Sequence, residues 1–169
     1  MAKPNLMIMS GYPYSGKTTL AKALEHLLKF ERITVDEILA ELGFPLEGEL
    51  SEENWTEIFN DAESRLINTL ANGRSVIFDA TNGHRDYRDK LRSITRPYVK
   101  IVVVVFLNTP IETIRERSIK AKDRHKVADA DVDETIRDFQ IPTSEENTVV
   151  IRADYPKEKV IKLIKEKLR

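Results

Sequence analysis

The sequence predicts an α/β fold in which helices cover both faces of an open, parallel, five-stranded sheet. Three observations carry that expectation. Short apolar runs alternate with amphipathic segments along the chain, as strand-helix-strand units require. One run, Val99 to Leu107, is almost wholly apolar, which suits a central strand covered on both faces. The chain has 169 residues, 41% hydrophobic and 33% charged, the size and balance of one globular domain.

Each element follows from local chemistry. Asn5 to Met9 reads as the first strand, and Gly16 to about Leu28 as a helix with Leu20, Ala23, Leu24 and Leu27 on one face. Arg32 to Val35 is short but β-branched and reads as the second strand. Glu37 to Leu42 reads as helix and stops at Gly43, with Pro45 and Gly48 in the loop beyond. Ser51 is a good N-cap for a long helix to about Ala71: Glu52 and Glu53 suit its first turn, and Asn72-Gly73 ends it.

Ser75 to Phe78 reads as the third strand, and Tyr87 to Ile94 as part of a helix that stops before Arg96-Pro97. After the strand at Val99 to Leu107, Pro110 opens a helix through about Lys122. A charged stretch follows, then a second helical piece from Asp131 to Phe139. Asn147 to Ile151 completes the strands, and Pro156 begins a terminal helix with Val160, Leu163, Ile164 and Leu168 as its core stripe. No repeat or linker interrupts the pattern, so a single domain over residues 1–169 is expected.

Composition narrows the function. With 27 basic against 28 acidic side chains, the chain lacks the cationic surface of a protein that grips long nucleic acid. The absence of cysteine excludes disulfides and thiolate metal sites. No apolar run reaches membrane-spanning length, and the N-terminus lacks a basic segment, an apolar core and a cleavage site. A cytoplasmic protein with no membrane partner is expected.

Residues 11 to 18 read Gly11-Tyr12-Pro13-Tyr14-Ser15-Gly16-Lys17-Thr18, followed by Thr19. This is the G-x-x-x-x-G-K-T pattern of a phosphate-binding P-loop. Its glycines let successive backbone N–H groups turn around an anion, Lys17 would reach the β- and γ-phosphates, and the Thr18 hydroxyl would sit on Mg²⁺. A Gly-rich turn before an ordinary helix could carry the same letters. Here an apolar strand directly precedes the motif and an amphipathic helix directly follows, which is the context that nucleotide binding demands.

Two carboxylates follow strands. Asp36 stands at the end of the second, where a ligand would lie beyond the carboxyl ends of a parallel sheet, and could accept the proton of an attacking hydroxyl. The alternative is that it caps the helix beginning at Glu37, and both roles are compatible. Asp79 ends the third strand in the place of a Mg²⁺-holding carboxylate, although Asp79, Thr81 or Asn82 could each cap the next helix.

Basic residues supply a third feature. Arg115 to Lys126 carries six lysines and arginines against Glu116 and Asp123, a local charge of +4. It is either a solvated helix face or a lid, spanning about 115–140, that brings cations over transferring phosphates; Arg117 and Arg124 are the candidates. His84, Arg85, Arg88 and Arg92 either contact an acceptor or lie on the surface.

Three motifs together resemble the small P-loop kinases related to polynucleotide 5′-kinase, a group that includes zeta-toxin and seryl-tRNA kinase relatives. They are Gly-x-Pro-x-Ser-Gly-Lys-Thr-Thr at 11 to 19, Asp-Ala-Thr-Asn at 79 to 82 followed by Arg85 and Arg88, and Phe139-x-x-Pro142-Thr143-x-x-Glu146. The resemblance spans about residues 6 to 151. It implies strand order 2-3-1-4-5, ATP with Mg²⁺ as cofactor, an arginine-rich lid and Asp36 as the base. Thr81, Asn82, Arg85 and Arg88 join Asp36 as expected acceptor contacts. The chain departs from the group at Leu39, where nucleic-acid 5′-kinases carry an arginine that holds the acceptor's phosphate.

The resulting expectation is an ATP-dependent kinase with a hydroxyl on a small molecule, nucleotide or RNA end as acceptor. The competing readings are a regulatory or partner-binding module that uses nucleotide only to order its lid, and an enzyme that hydrolyses ATP.

Overall fold

A computed structural model describes residues 2–45, 50–121, 127 and 129–169. Five strands form one parallel sheet in the order β2-β3-β1-β4-β5, as expected. They are β1 (Asn5–Ser10), β2 (Glu31–Thr34), β3 (Val76–Asp79), β4 (Ile101–Asn108) and β5 (Thr148–Arg152). The helices are α1 (Lys17–Leu28), α2 (Val35–Glu41), α3 (Glu52–Ala71), α4 (Arg85–Thr95), α5 (Ile111–Lys120), α6 (Asp129–Asp138) and α7 (Lys157–Lys167), with a short 3₁₀ turn at Ser144–Glu146.

Alternate residues of each strand feed opposite faces. Leu6, Ile8, Ile33, Val76, Phe78 and Val104 pack against Ile38 and Leu39 of α2, Ile58, Ala62, Leu66 and Leu70 of α3, and Leu91 of α4. Met7, Met9, Ile77, Val103 and Val105 pack on the other side, against Ala21 and Leu24 of α1 and Val160 and Ile164 of α7. Both faces of β1, β3 and β4 are therefore buried, which explains their nearly unbroken apolar runs.

Register decides where the strands end. Met9 pairs with Asp79, and Asp79 with Thr34, so β1, β3 and β2 finish level with one another. The loop after β1, the carboxylate of Asp79 and the start of α2 therefore share one edge of the sheet.

Several boundaries differ from expectation. The second strand stops at Thr34, and Val35 is the first residue of α2, buried against the α3 layer. Its β-branched side chain favours a strand, but packing overrides that preference. Asp36 consequently lies inside the first turn of α2 and is not the cap, a position held by Thr34. Ser51 caps α3 as expected: its hydroxyl accepts the Asn54 N–H, and the Asn54 side chain reaches back to the Ser51 N–H. Gly48 lies outside the described residues.

Leu66 is fully buried at the centre of the α3 contact with the sheet. Leu66→Ala should lower unfolding free energy by about 2–5 kcal/mol, measured by urea denaturation with an unchanged m-value.

Candidate active site

The phosphate-binding loop runs from Gly11 to Gly16 and delivers α1 at Lys17. Gly16 takes φ +97°, a left-handed conformation that favours glycine, and so turns the chain directly into the helix. Tyr14 also adopts a positive φ, +62°. Thr109 donates its hydroxyl to the Ser15 carbonyl at 2.9 Å, fixing the loop to the end of β4. Pro13 is half-buried, while Thr18 and Thr19 are exposed at the start of α1.

Lys17 is nearly buried, and its ammonium donates to the Tyr12 carbonyl at 2.8 Å. Burial pushes its pKa down to about 8, opposed by the negative charges of Asp79 and Asp36. Asp79 is also buried, with its side chain 2% exposed. Burial raises its pKa, while Lys17, the neighbouring Thr18 hydroxyl and Arg32 oppose the rise. Asp36 is exposed at the mouth of this group, and its charge acts on both Lys17 and Asp79.

The oxygens here suit magnesium. Asp79 Oδ2 is buried and accepts no hydrogen bond, and the Thr18 hydroxyl lies beside the same carboxylate. No cluster of three or more His, Cys, Asp or Glu side chains able to hold a metal occurs among the described residues. Mg²⁺ does not require one, because it keeps waters and is held through one or two carboxylates plus substrate phosphates.

Helices α5 and α6 meet the loop through its two tyrosines. Tyr12 packs with Ile114 and Val132, and its ring centroid lies 4.5 Å from that of Phe139. The Tyr14 hydroxyl accepts the Val127 N–H at 2.8 Å. Arg117 donates Nη1 to the Tyr14 carbonyl at 2.8 Å, so this cation already reaches the loop. Arg115 instead pairs with Asp133 at 2.7 Å, and Arg124 lies outside the described residues.

A family model described as an AAA domain matches residues 6–142. The chain belongs to this AAA-domain family. A shikimate kinase from Clostridium botulinum (strain Loch Maree / Type A3) is 26% identical over 117 residues, which are 69% of this chain and 66% of that enzyme. The match thus spans slightly less than two thirds of the relative's length.

Solved structures share the fold of this AAA domain. An unliganded sugar kinase from Janibacter sp. HTCC2649 aligns with a TM-score of 0.73 at 21% identity, covering 98% of this chain and 94% of the other. The APS kinase from Mycobacterium tuberculosis, solved with AMPPNP and APS, aligns at 0.72 and 16% identity, with 99% of each chain covered.

Two expected acceptor contacts, Arg88 and Asn82, instead serve internal bonds of the AAA domain. Arg88 has no solvent exposure. Its Nε and Nη2 donate to the Glu146 carboxylate at 2.7 and 3.0 Å, and its Nη1 to the Asn82 carbonyl at 3.0 Å, so no donor faces a substrate. Asn82 is buried with φ +46°, and its amide nitrogen donates to the Met9 carbonyl at 2.6 Å. It fastens the β3–α4 loop to β1. Arg85 is partly exposed but is tied to Asp89 at 3.1 Å, to the Thr143 hydroxyl at 3.3 Å and to Glu145 at 3.6 Å. Thr81 is half-buried, and its carbonyl accepts the Gly11 N–H at 3.2 Å.

Sequence reading missed the role of Glu146. It receives Arg88, the Arg92 guanidinium at 3.2 Å and the Thr143 N–H at 3.1 Å. The second and third sequence motifs are thus two halves of one buried ion pair, and their co-occurrence was the available signal. Gly83 is similar: a Cβ there would come within 2.9 Å of the Phe139 ring, which explains why glycine precedes α4.

Burial alone would raise the Glu146 pKa, but hydrogen bonds from Arg88 and the Thr143 backbone, with the Arg88 charge, hold it down to about 2 from 4.5. A depressed carboxylate stabilises the fold fully above 4.5, and that contribution is lost as pH falls from 4.5 toward 2. Glu146→Gln should flatten the acid limb of thermal stability across that window. At pH 7 it should cost about 3–5 kcal/mol, because Arg88 is left as an uncompensated buried charge. Calorimetry between pH 2 and 7 measures both effects.

Proposed function

We propose that this AAA domain is an ATP-dependent, Mg²⁺-dependent kinase that transfers the γ-phosphoryl group of ATP to a hydroxyl of a small molecule, nucleotide or RNA end. The observation that carries this reading is the convergence of Lys17, Asp79 and Asp36 at the level ends of β1, β3 and β2. A carboxylate on the acceptor side of the loop can orient and deprotonate an attacking hydroxyl, the role a kinase base fills, whereas nucleotide sensing alone needs none.

In this reading the loop from Gly11 to Thr19 binds the phosphates, and Lys17 exchanges the Tyr12 carbonyl for a phosphate oxygen. Thr18 and Asp79 would hold Mg²⁺, which when bound supplies neutralising charge across the β- and γ-phosphates. Asp36 orients the acceptor hydroxyl and takes its proton as the new O–P bond forms and the bond to the ADP oxygen breaks. Within the expected lid over 115–140, the described helices α5 and α6 cover the loop of a single domain. Among the lid's described cations, Arg117 already bonds the loop and would move from the Tyr14 carbonyl onto a phosphate. Similarity to a shikimate kinase supports a small acceptor. The polynucleotide-kinase-like resemblance supports the Asp36 role, but Leu39 removes that group's phosphate-holding cation.

The test supplies γ-labelled ATP and Mg²⁺ with pools of metabolites and of oligonucleotides. Label should enter one pool component, and Asp36→Ala should cut that transfer by roughly 10²–10⁴-fold while ADP binding survives. Unlabelled pools together with ATP turnover indifferent to Asp36→Ala would refute the kinase assignment. Lys17→Ala should weaken nucleotide binding itself, measured by titration with a fluorescent ADP analogue, because it removes a cation that binds phosphate before and during transfer.

A further inference from the structure

Arg32 belongs to no motif, yet it is the most connected cation near the proposed metal site. It sits in edge strand β2 on the α1 side of the sheet, beside Ile77, with its side chain only 8% exposed. Nε donates to Glu25 of α1 at 3.2 Å, and Nη2 to Glu37 of α2 at 2.5 Å. Nη1 points to Oδ2 of Asp79 at 3.7 Å, close enough for an ion pair but too far for a hydrogen bond. Each of these two facing atoms is buried and has no other partner.

Buried polar atoms are rarely left unsatisfied, so a facing pair of opposite charge orients each group toward the other. The guanidinium is a planar fork held on two sides by carboxylates of different helices, so its third edge has a fixed direction. That direction is toward the carboxylate assigned to Mg²⁺.

We propose that Arg32 is a positioning residue for the metal site: it sets the orientation of the Asp79 carboxylate and ties it to α1 and to α2, the helix that carries Asp36. It touches neither nucleotide nor acceptor and acts through Asp79. The inference deepens the kinase reading but depends only on Mg²⁺-assisted nucleotide binding, so it stands or falls apart from the acceptor chemistry.

The experiment titrates a fluorescent ADP analogue into the full chain, with and without Mg²⁺, for wild type, Arg32→Gln, Arg32→Lys and Glu37→Gln. Partners that orient metal ligands typically govern metal affinity by roughly 10–100-fold, so Arg32→Gln should raise the half-saturating Mg²⁺ concentration about 10-fold or more. ADP affinity without metal should stay unchanged. Arg32→Lys keeps the charge but cannot bridge three carboxylates, and should show a smaller rise. Glu37→Gln loosens one tether and should shift Mg²⁺ dependence in the same direction. An Mg²⁺ dependence equal to wild type in folded Arg32→Gln overturns the proposal, as does an equal loss of affinity with and without metal. If Arg32→Gln does not fold, Arg32→Lys decides: an unshifted Mg²⁺ requirement overturns it.

Discussion

Burying a lysine ammonium is expensive, and the site is organised around meeting that cost for Lys17. The Tyr12 carbonyl accepts a hydrogen bond from it, and the charges of Asp79 and Asp36 oppose its deprotonation. Each partner comes from a different chain segment, so the arrangement exists only because of strand order. With β3 beside β1, register places Asp79 level with the end of the strand that feeds the loop; with β2 beside β3, α2 begins at that same level. The order β2-β3-β1 is therefore the electrostatic requirement of Lys17 expressed as topology.

Behind this group the chain uses buried charge as scaffold. Arg88 and Glu146 are 58 residues apart, fully shielded from water, and joined by a two-point hydrogen-bonded pair. Through the Asn82 carbonyl, which also accepts the Ser10 hydroxyl, the pair fixes the β3–α4 loop to the strand entering the phosphate-binding loop. On the opposite side, α5 and α6 meet the loop through tyrosine rings and partly exposed hydrogen bonds. A fully desolvated ion pair resists separation, whereas single hydrogen bonds open to water are exchanged at small cost. The two sides of the loop are thus built from different interactions.

The fold was legible because parallel strands buried on both faces produce short apolar runs set between amphipathic helices. The loop from Gly11 to Thr18 was legible because anion binding constrains glycines and a lysine at fixed spacing. Val35 was misplaced because a β-branched residue next to a strand gives no local sign that helix packing will claim it. Arg88 and Asn82 were misread for a different reason. Both stand where ligand contacts cluster, and a basic or amide side chain looks the same in sequence whether its partner is a substrate or Glu146. The roles of Tyr12, Tyr14 and Arg32 depend on contacts between distant elements, for which spacing along the chain carries no signal.

Leu39 brings these points to bear on the acceptor. It is buried in the core beside Ile38, so that face of α2 is committed to packing against the sheet and α3. An arginine at this position would lose that packing before it could reach a phosphate. The exposed residues of the same helix include Asp36, Glu37 and Glu41, two of which already hold Arg32 and Arg65. An acceptor that presented a phosphate to this helix would meet carboxylates and no free cation. In the proposed kinase reading, the edge beside Asp36 would therefore receive the hydroxyl end of an acceptor, with any anionic group directed away from α2.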